Sequence, residues 1–207
     1  MLRLDDQTWP LAERRLAGDA GLAGLIQRFP GERIQTSGSA FQVLANSIVG
    51  QQISVKAAAA IFGRLTALLG EWAPAAVDAV DDDALRAAGL SLRKVEYFRS
   101  LAAAFSDGTG DPARWEHETD EQVMKELVAL RGIGRWTAEM FLIFHLQRPD
   151  VLPLDDIGLL QSAARTFGWD YPFDPKRLKA RAEAWRPWRT AGVWYLWRAL
   201  DPHPVVY

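Results

Sequence analysis

The chain has 207 residues, a net charge of −2 and 49% apolar residues, enough for one compact domain or two small lobes with sizeable cores. It contains no cysteine, which excludes disulfides, thiolate zinc sites and cysteine-ligated iron–sulfur clusters and fits a reducing cytoplasm. No apolar run reaches the ~18 residues of a membrane span, and the charged start, MLRLDDQTWPLAERR, does not read as a secretory leader.

In chain order, apolar residues fall at helical spacing over about 7–17, 20–29, 38–50, 54–69, 81–88, 92–106, 119–130, 134–147, 156–167, 174–185 and 187–200. Several of these segments carry their own start and stop signals. Ser54 and Ser91 stand where an N-cap belongs. Thr119 and Gln122 have capping-box spacing. Pro175 and Pro187 suit a first helical turn, and Gly70 and Gly89 suit a helix end. No alternating strand, internal repeat or long linker appears, and the loosest stretch is 106–112. The expected class is therefore all-α.

Four stretches hold more than helix-forming residues. The first is Arg131-Gly132-Ile133-Gly134, between two helices joined with almost no loop. Glycine accepts the positive φ of so tight a turn. It also exposes backbone N–H groups near a helix N-terminus, which suits a phosphate. An ordinary helix–helix turn is the competing reading. The second stretch, VLPLDDIGL, ends its break on Asp155 and Asp156, either of which can cap the helix that follows. The third, RPWRTAGVWYLWR, belongs to a region with four tryptophans, Trp185, Trp188, Trp194 and Trp197. Some must be core, and an electron-rich ring exposed at a surface also attracts a cation. The fourth is SIVGQQISVKAA, a polar turn between apolar helices.

Around the third stretch the charge is uneven. Lys176, Arg177, Lys179, Arg181, Arg186, Arg189 and Arg198 face only Asp174 and Glu183, a local excess of five positive charges. A solvated helix face and a phosphate-binding patch are both open readings. His117, His145 and His203 are scattered and form no metal-ligand spacing.

Taken together and in this order, SIVGQQISVKAA, LRGIGRWTAEM, VLPLDDIGL and RPWRTAGVWYLWR resemble the helix-hairpin-helix superfamily of DNA base-excision glycosylases, and within it the 3-methyladenine DNA glycosylase II branch. The resemblance covers about residues 38–201. It implies two all-helical lobes with a cleft between them, one of about 45–130 and one of 1–44 with 131–207, together a single catalytic unit over 1–207. Residues 1–37 read as helical and are too short for the β domain that some relatives carry.

The resemblance also implies roles. Asp156, twenty residues after Trp136, takes the catalytic place. A carboxylate facing C1′ would stabilise the positive charge that develops as the base leaves. Trp136, Met140 and Trp197 are expected around the flipped base. Gln52, flanked by Gln51 and Ile53, is the expected wedge in the duplex. Arg131, Gly132, Ile133, Gly134 and Thr137 are expected to grip the DNA backbone, with a Na⁺ or K⁺ held by the carbonyls of Val128, Leu130 and Ile133. Relatives that also cut the strand carry a lysine where this chain has Trp136. The resemblance therefore implies a monofunctional enzyme for alkylated bases, needing no cofactor for catalysis. It would act as a cytoplasmic monomer on damaged double-stranded DNA, with no membrane involved. Two alternatives stay open: the same fold acting on ethenoadenine, deaminated or oxidised purines, and a helix-hairpin-helix DNA-binding module without catalysis.

Overall fold

A computed structural model of the chain describes residues 1–36 and 38–200, all but the side chain of Val55. His203 lies outside them. Within the described residues the chain is helical and forms no strand, which bears out the all-α expectation. The helices are α1 (Trp9–Leu16), α2 (Ala20–Arg28), α3 (Ala40–Gly50), α4 (Val55–Leu69), α5 (Pro74–Asp78), α6 (Asp82–Ala87), α7 (Leu92–Ser106), α8 (Pro112–Trp115), α9 (Asp120–Ala129), α10 (Arg135–Phe144), α11 (Ile157–Phe167), α12 (Pro175–Ala182) and α13 (Arg189–Leu200), with a 3-10 turn at Glu183–Trp185. None of them is long and apolar enough to cross a membrane.

The caps form where the sequence places them. Ser54 accepts from the Ala57 N–H and Ser91 from the Lys94 N–H, both at 3.3 Å. Thr119 and Gln122 make a reciprocal capping box. Gly70 closes α4 at φ 69°. Pro175 opens α12 behind the Asp174 cap. Three details differ from the sequence expectation. Helices α5 and α8 are too short to show a period, and each opens on a proline. Pro187 lies before α13 rather than in its first turn. There the Trp188 N–H bonds to Trp185 and the Thr190 N–H to Pro149, so helical bonding starts later. Helix α10 also stops at Phe144, three residues before the expected end. Gln147, at φ 53°, turns the chain so that the Arg148 N–H returns to the Leu142 carbonyl at 2.8 Å.

The described residues form two compact units. The first takes Met1–Thr36 and the described residues from Leu142 to Leu200, and the second takes the described residues from 38 to Phe141. The sequence expectation drew the second as about 45–130. Helix α3 lies wholly within it because Phe41, Leu44, Ile48 and Val49 bury a continuous apolar face, with α4 and α7 as neighbours. Phe41, Phe105, Trp115 and Phe141 then form a chain of edge-on rings with centroids 5.3, 5.8 and 5.5 Å apart. That chain carries the unit's core into the first turns of α10.

The first unit is built around α13, whose residues from Thr190 to Leu196 are all buried. It packs with α11, α2 and α1. Trp9 meets Trp194 edge-on at 5.5 Å. Trp185, Trp188 and Trp194 are core residues, whereas Trp197 keeps part of its surface open. The cation excess of this region is largely neutralised within the unit. Arg181 pairs with Asp19, Arg186 and Arg189 with Asp150, and Arg198 with Glu32. The phosphate-patch reading therefore loses four of its seven cations.

Candidate active site

In the first unit the candidate catalytic residue is Asp156. It stands immediately before α11 in an extended conformation, and its Oδ1 accepts the Leu159 N–H at 2.5 Å. The same oxygen accepts the indole N–H of Trp197 at 3.0 Å. The two bonds come from different helices, so they set both the position and the plane of the carboxylate. Ser162 donates to the Leu196 carbonyl and ties α11 to α13 behind it. Trp197 is itself held by stacking on Phe144, with centroids 5.7 Å apart and planes 15° apart.

Asp155 is exposed, so the cap and the expected catalytic role fall on one residue rather than being divided between neighbours. Two residues beside the carboxylate escape sequence reading. Ile157 leaves an apolar side chain 64% exposed. Gly158 keeps space open, since a Cβ there would stand 3.3 Å from Asp156 Oδ1. Phe144 could not have been singled out either, because nothing local separates a supporting ring from an ordinary core phenylalanine.

The second unit holds the hairpin and the polar loop. Helix α9 ends at Ala129, and Gly132 turns the chain at φ 92°. A Cβ on Gly132 would lie 2.3 Å from the Tyr97 ring. Gly134 is different: its φ is not in the left-handed region, and a Cβ there would have nothing within 4 Å. Ile133, between them, is 4% exposed and plugs the angle of the helices as its position suggests. Arg131 pairs with Glu96 at 2.5 Å, both being exposed. Thr137 is buried at 3% exposure and Met140 at 2%, while Trp136 is half-buried. The burial of Thr137 and Met140 makes each first of all a packing residue.

The loop after α3 separates the roles of its residues. The Gln51 side chain donates from Nε2 to the Gly132 carbonyl at 2.9 Å and so braces the hairpin. Gln52, next to it, is exposed and adopts φ 59°, rare for a side chain without a special reason. Ile53 is also exposed. Lys94 donates to the carbonyls of Val49 at 2.6 Å and Gln51 at 2.9 Å, a tie that no sequence motif announces.

A pinned carboxylate under an indole, and a bare-backbone hairpin joined to a polar loop, are the pieces that the four motifs bring into two places. The family described as HhH-GPD superfamily base excision DNA repair protein matches residues 45–190. The chain belongs to this superfamily. It is 33% identical to the DNA-3-methyladenine glycosylase 1 of Schizosaccharomyces pombe over 188 residues, 86% of this chain and 79% of that protein. Its fold is similar to the crystal structure of a DNA-3-methyladenine glycosidase from Bacillus halodurans, with a TM-score of 0.82 and 38% identity over 97% of this chain and 92% of that one. It is likewise similar to a Schizosaccharomyces pombe 3-methyladenine DNA glycosylase in complex with abasic DNA, with a TM-score of 0.80 and 30% identity over 90% of this chain and 95% of that one. The hairpin of this superfamily member lies within α9, Gly132 and α10, and its Asp156 lies at the head of α11.

Proposed function

We propose that this chain is a monofunctional DNA glycosylase that releases alkylated bases of the 3-methyladenine class from double-stranded DNA. The observation that carries the reading is the Asp156 carboxylate held by the Leu159 N–H and the Trp197 indole. Cleavage of the bond between C1′ and the base nitrogen builds positive charge on the sugar. A carboxylate already oriented stabilises that charge without reorganising as it forms. The base departs with the bonding electrons, water adds at C1′ and gives up a proton to the Asp156 carboxylate, and an abasic site remains. An N3- or N7-alkylated purine is cationic and leaves readily, so the cleavage needs no cofactor and little acid assistance. Trp197, which keeps part of its surface open, offers such a base cation–π attraction. Trp136 supplies no amine, so no imine to the sugar forms.

In this reading Gln52 and Ile53 enter the duplex where the base has left it. Gly132, Ile133 and Gly134 offer their backbone to a phosphate, with Arg131 beside them. A Na⁺ or K⁺ at the hairpin would be held by the carbonyls of Val128, Leu130 and Ile133. Val128 lies in the last turn of α9, where carbonyls lack intrahelical partners. The Leu130 carbonyl accepts the Ile133 N–H at 3.1 Å and keeps a second lone pair. Such an ion would supply positive charge toward a phosphate oxygen. The enzyme works as a monomer in the cytoplasm.

The test is free base released from duplexes that each carry one lesion. Release of 3-methyladenine or 7-methylguanine, with slower or no release of 8-oxoguanine, supports the reading. Faster release of 8-oxoguanine overturns the substrate class, and release of no base at all leaves a DNA-binding module.

A further inference from the structure

Lys94 belongs to none of the four motifs, yet it sits at the junction of the loop and the hairpin. Its ammonium donates to the Val49 and Gln51 carbonyls. Val49 is in the last turn of α3, where carbonyls have no intrahelical partner and a cation meets the negative end of the helix dipole. Gln51 is the residue immediately before Gln52. One side chain from α7 therefore fixes the backbone on its approach to the loop tip.

The tip needs such support. Gln52 at φ 59° occupies a region that costs a side chain energy and persists only where the surroundings determine it. Two anchors stand beside it: Lys94 on the backbone, and the Gln51 amide on the Gly132 carbonyl. The hairpin end is also set by α7, because Tyr97 fills the space a Gly132 Cβ would need. Helix α7 thus holds the loop and the hairpin to one another within the second unit. Partial burial pulls the pKa of Lys94 below the ordinary lysine value, a desolvation cost that a lysine free in solvent would not carry.

We propose that Lys94 is a positioning residue for base flipping: its ammonium holds the Gln52 loop in the shape that enters the duplex and in register with the hairpin that grips the backbone. This rests on the glycosylase reading above. The competing role is a helix cap that serves only the stability of α3. The two differ in one respect. A flipping defect depends on how firmly the lesion is paired, whereas a loss of folded protein does not.

The full chain and its Lys94→Gln and Lys94→Arg variants are compared in single-turnover release of 7-methylguanine from two duplexes. In one the lesion is paired with cytosine; in the other it lies opposite an abasic gap, where flipping costs less. Lys94→Gln should slow release from the paired duplex by about tenfold, within the range of positioning losses. It should slow release from the gapped duplex far less, and amide exchange at 51–54 should quicken. Lys94→Arg, which can also donate to two carbonyls, should recover most of the rate. Gln51→Ala removes the second anchor and should give the same selective loss, which keeps the test open if Lys94→Gln does not fold. Equal losses on the two duplexes, or no loss on either, overturn the proposal. If the unsubstituted protein releases base from neither duplex, the glycosylase reading falls and this proposal with it.

Discussion

Trp197 and Asp156 are joined by a hydrogen bond of 3.0 Å from the indole N–H to the carboxylate oxygen that also caps α11. The ring proposed to face the base and the group proposed to face the sugar are therefore one unit. Trp197→Phe keeps a ring that can stack on Phe144 but loses the N–H. It should slow base release by about tenfold, in line with one lost hydrogen bond to a charged group. Trp197→Ala should slow it further and shrink the preference for alkylated over oxidised purines. Single-turnover rates on matched duplexes check both, and equal rates for the two variants would contradict the ring's part.

Asp156→Asn separates charge from cap, because asparagine is an equally good N-cap. Base release should fall on the order of a hundredfold to a thousandfold, the usual loss when a preorganised electrostatic group is removed. The melting temperature and the affinity for damaged duplex should hardly change. Asp155→Asn, at an exposed position, should leave the rate nearly intact. The reverse pattern would move catalysis to Asp155.

Trp136 makes the chemistry of the sugar testable. Borohydride added during turnover should trap no protein–DNA adduct, and strands should break only after alkali. A specific crosslink that survives denaturation would show an amine nucleophile and refute the monofunctional reading.

The two glycines of the hairpin should behave differently. Gly132→Ala meets both a positive φ and the Tyr97 ring, and should cost about 1–3 kcal/mol of stability. Gly134→Ala meets nothing within 4 Å and should fold normally. Gly134→Asp should also fold, yet weaken binding to damaged and undamaged duplex alike, since phosphate contacts position without reading sequence. Melting curves and binding isotherms decide it. Weakening confined to damaged DNA would place Gly134 near the lesion instead.

Asp19 should govern acid stability of the first unit. Burial alone would raise its pKa, but hydrogen bonds from Arg181 and Trp185, and the charge of Arg181, hold it below the ordinary 3.8. A folded value below the unfolded one means that the contribution is complete above 3.8 and is lost as pH falls through the folded value. Asp19→Asn should cost about 1–3 kcal/mol at neutral pH. Its stability should also fall less than that of the unsubstituted protein as the medium is acidified below that point. Parallel stability curves for the two proteins would refute this.

Local features were legible in the sequence because their causes are local. A capping bond spans three residues, as from Ser54 to Ala57 or Thr119 to Gln122, and a helix shows its period within a few turns. The turn at Gly132 and Gly134 was legible too, although only Gly132 needs glycine for its backbone. Motif order placed the aspartate pair and named the family. What the tertiary structure decided depends on partners far away in the chain. Arg198 finds Glu32 at a separation of 166 residues, Arg189 finds Asp150, and a run of cations that suggested phosphate becomes a set of internal pairs. Gln51 and Gln52 are alike in sequence, but the carbonyl of Gly132, 81 residues on, makes the first a brace and leaves the second exposed. Asp156 rather than Asp155 takes the cap, and Trp197, 41 residues on, joins it on the same oxygen. Charge, hydrogen-bonding capacity and ring faces are properties of single residues, but which partner satisfies each is settled only when packing brings donor and acceptor within reach.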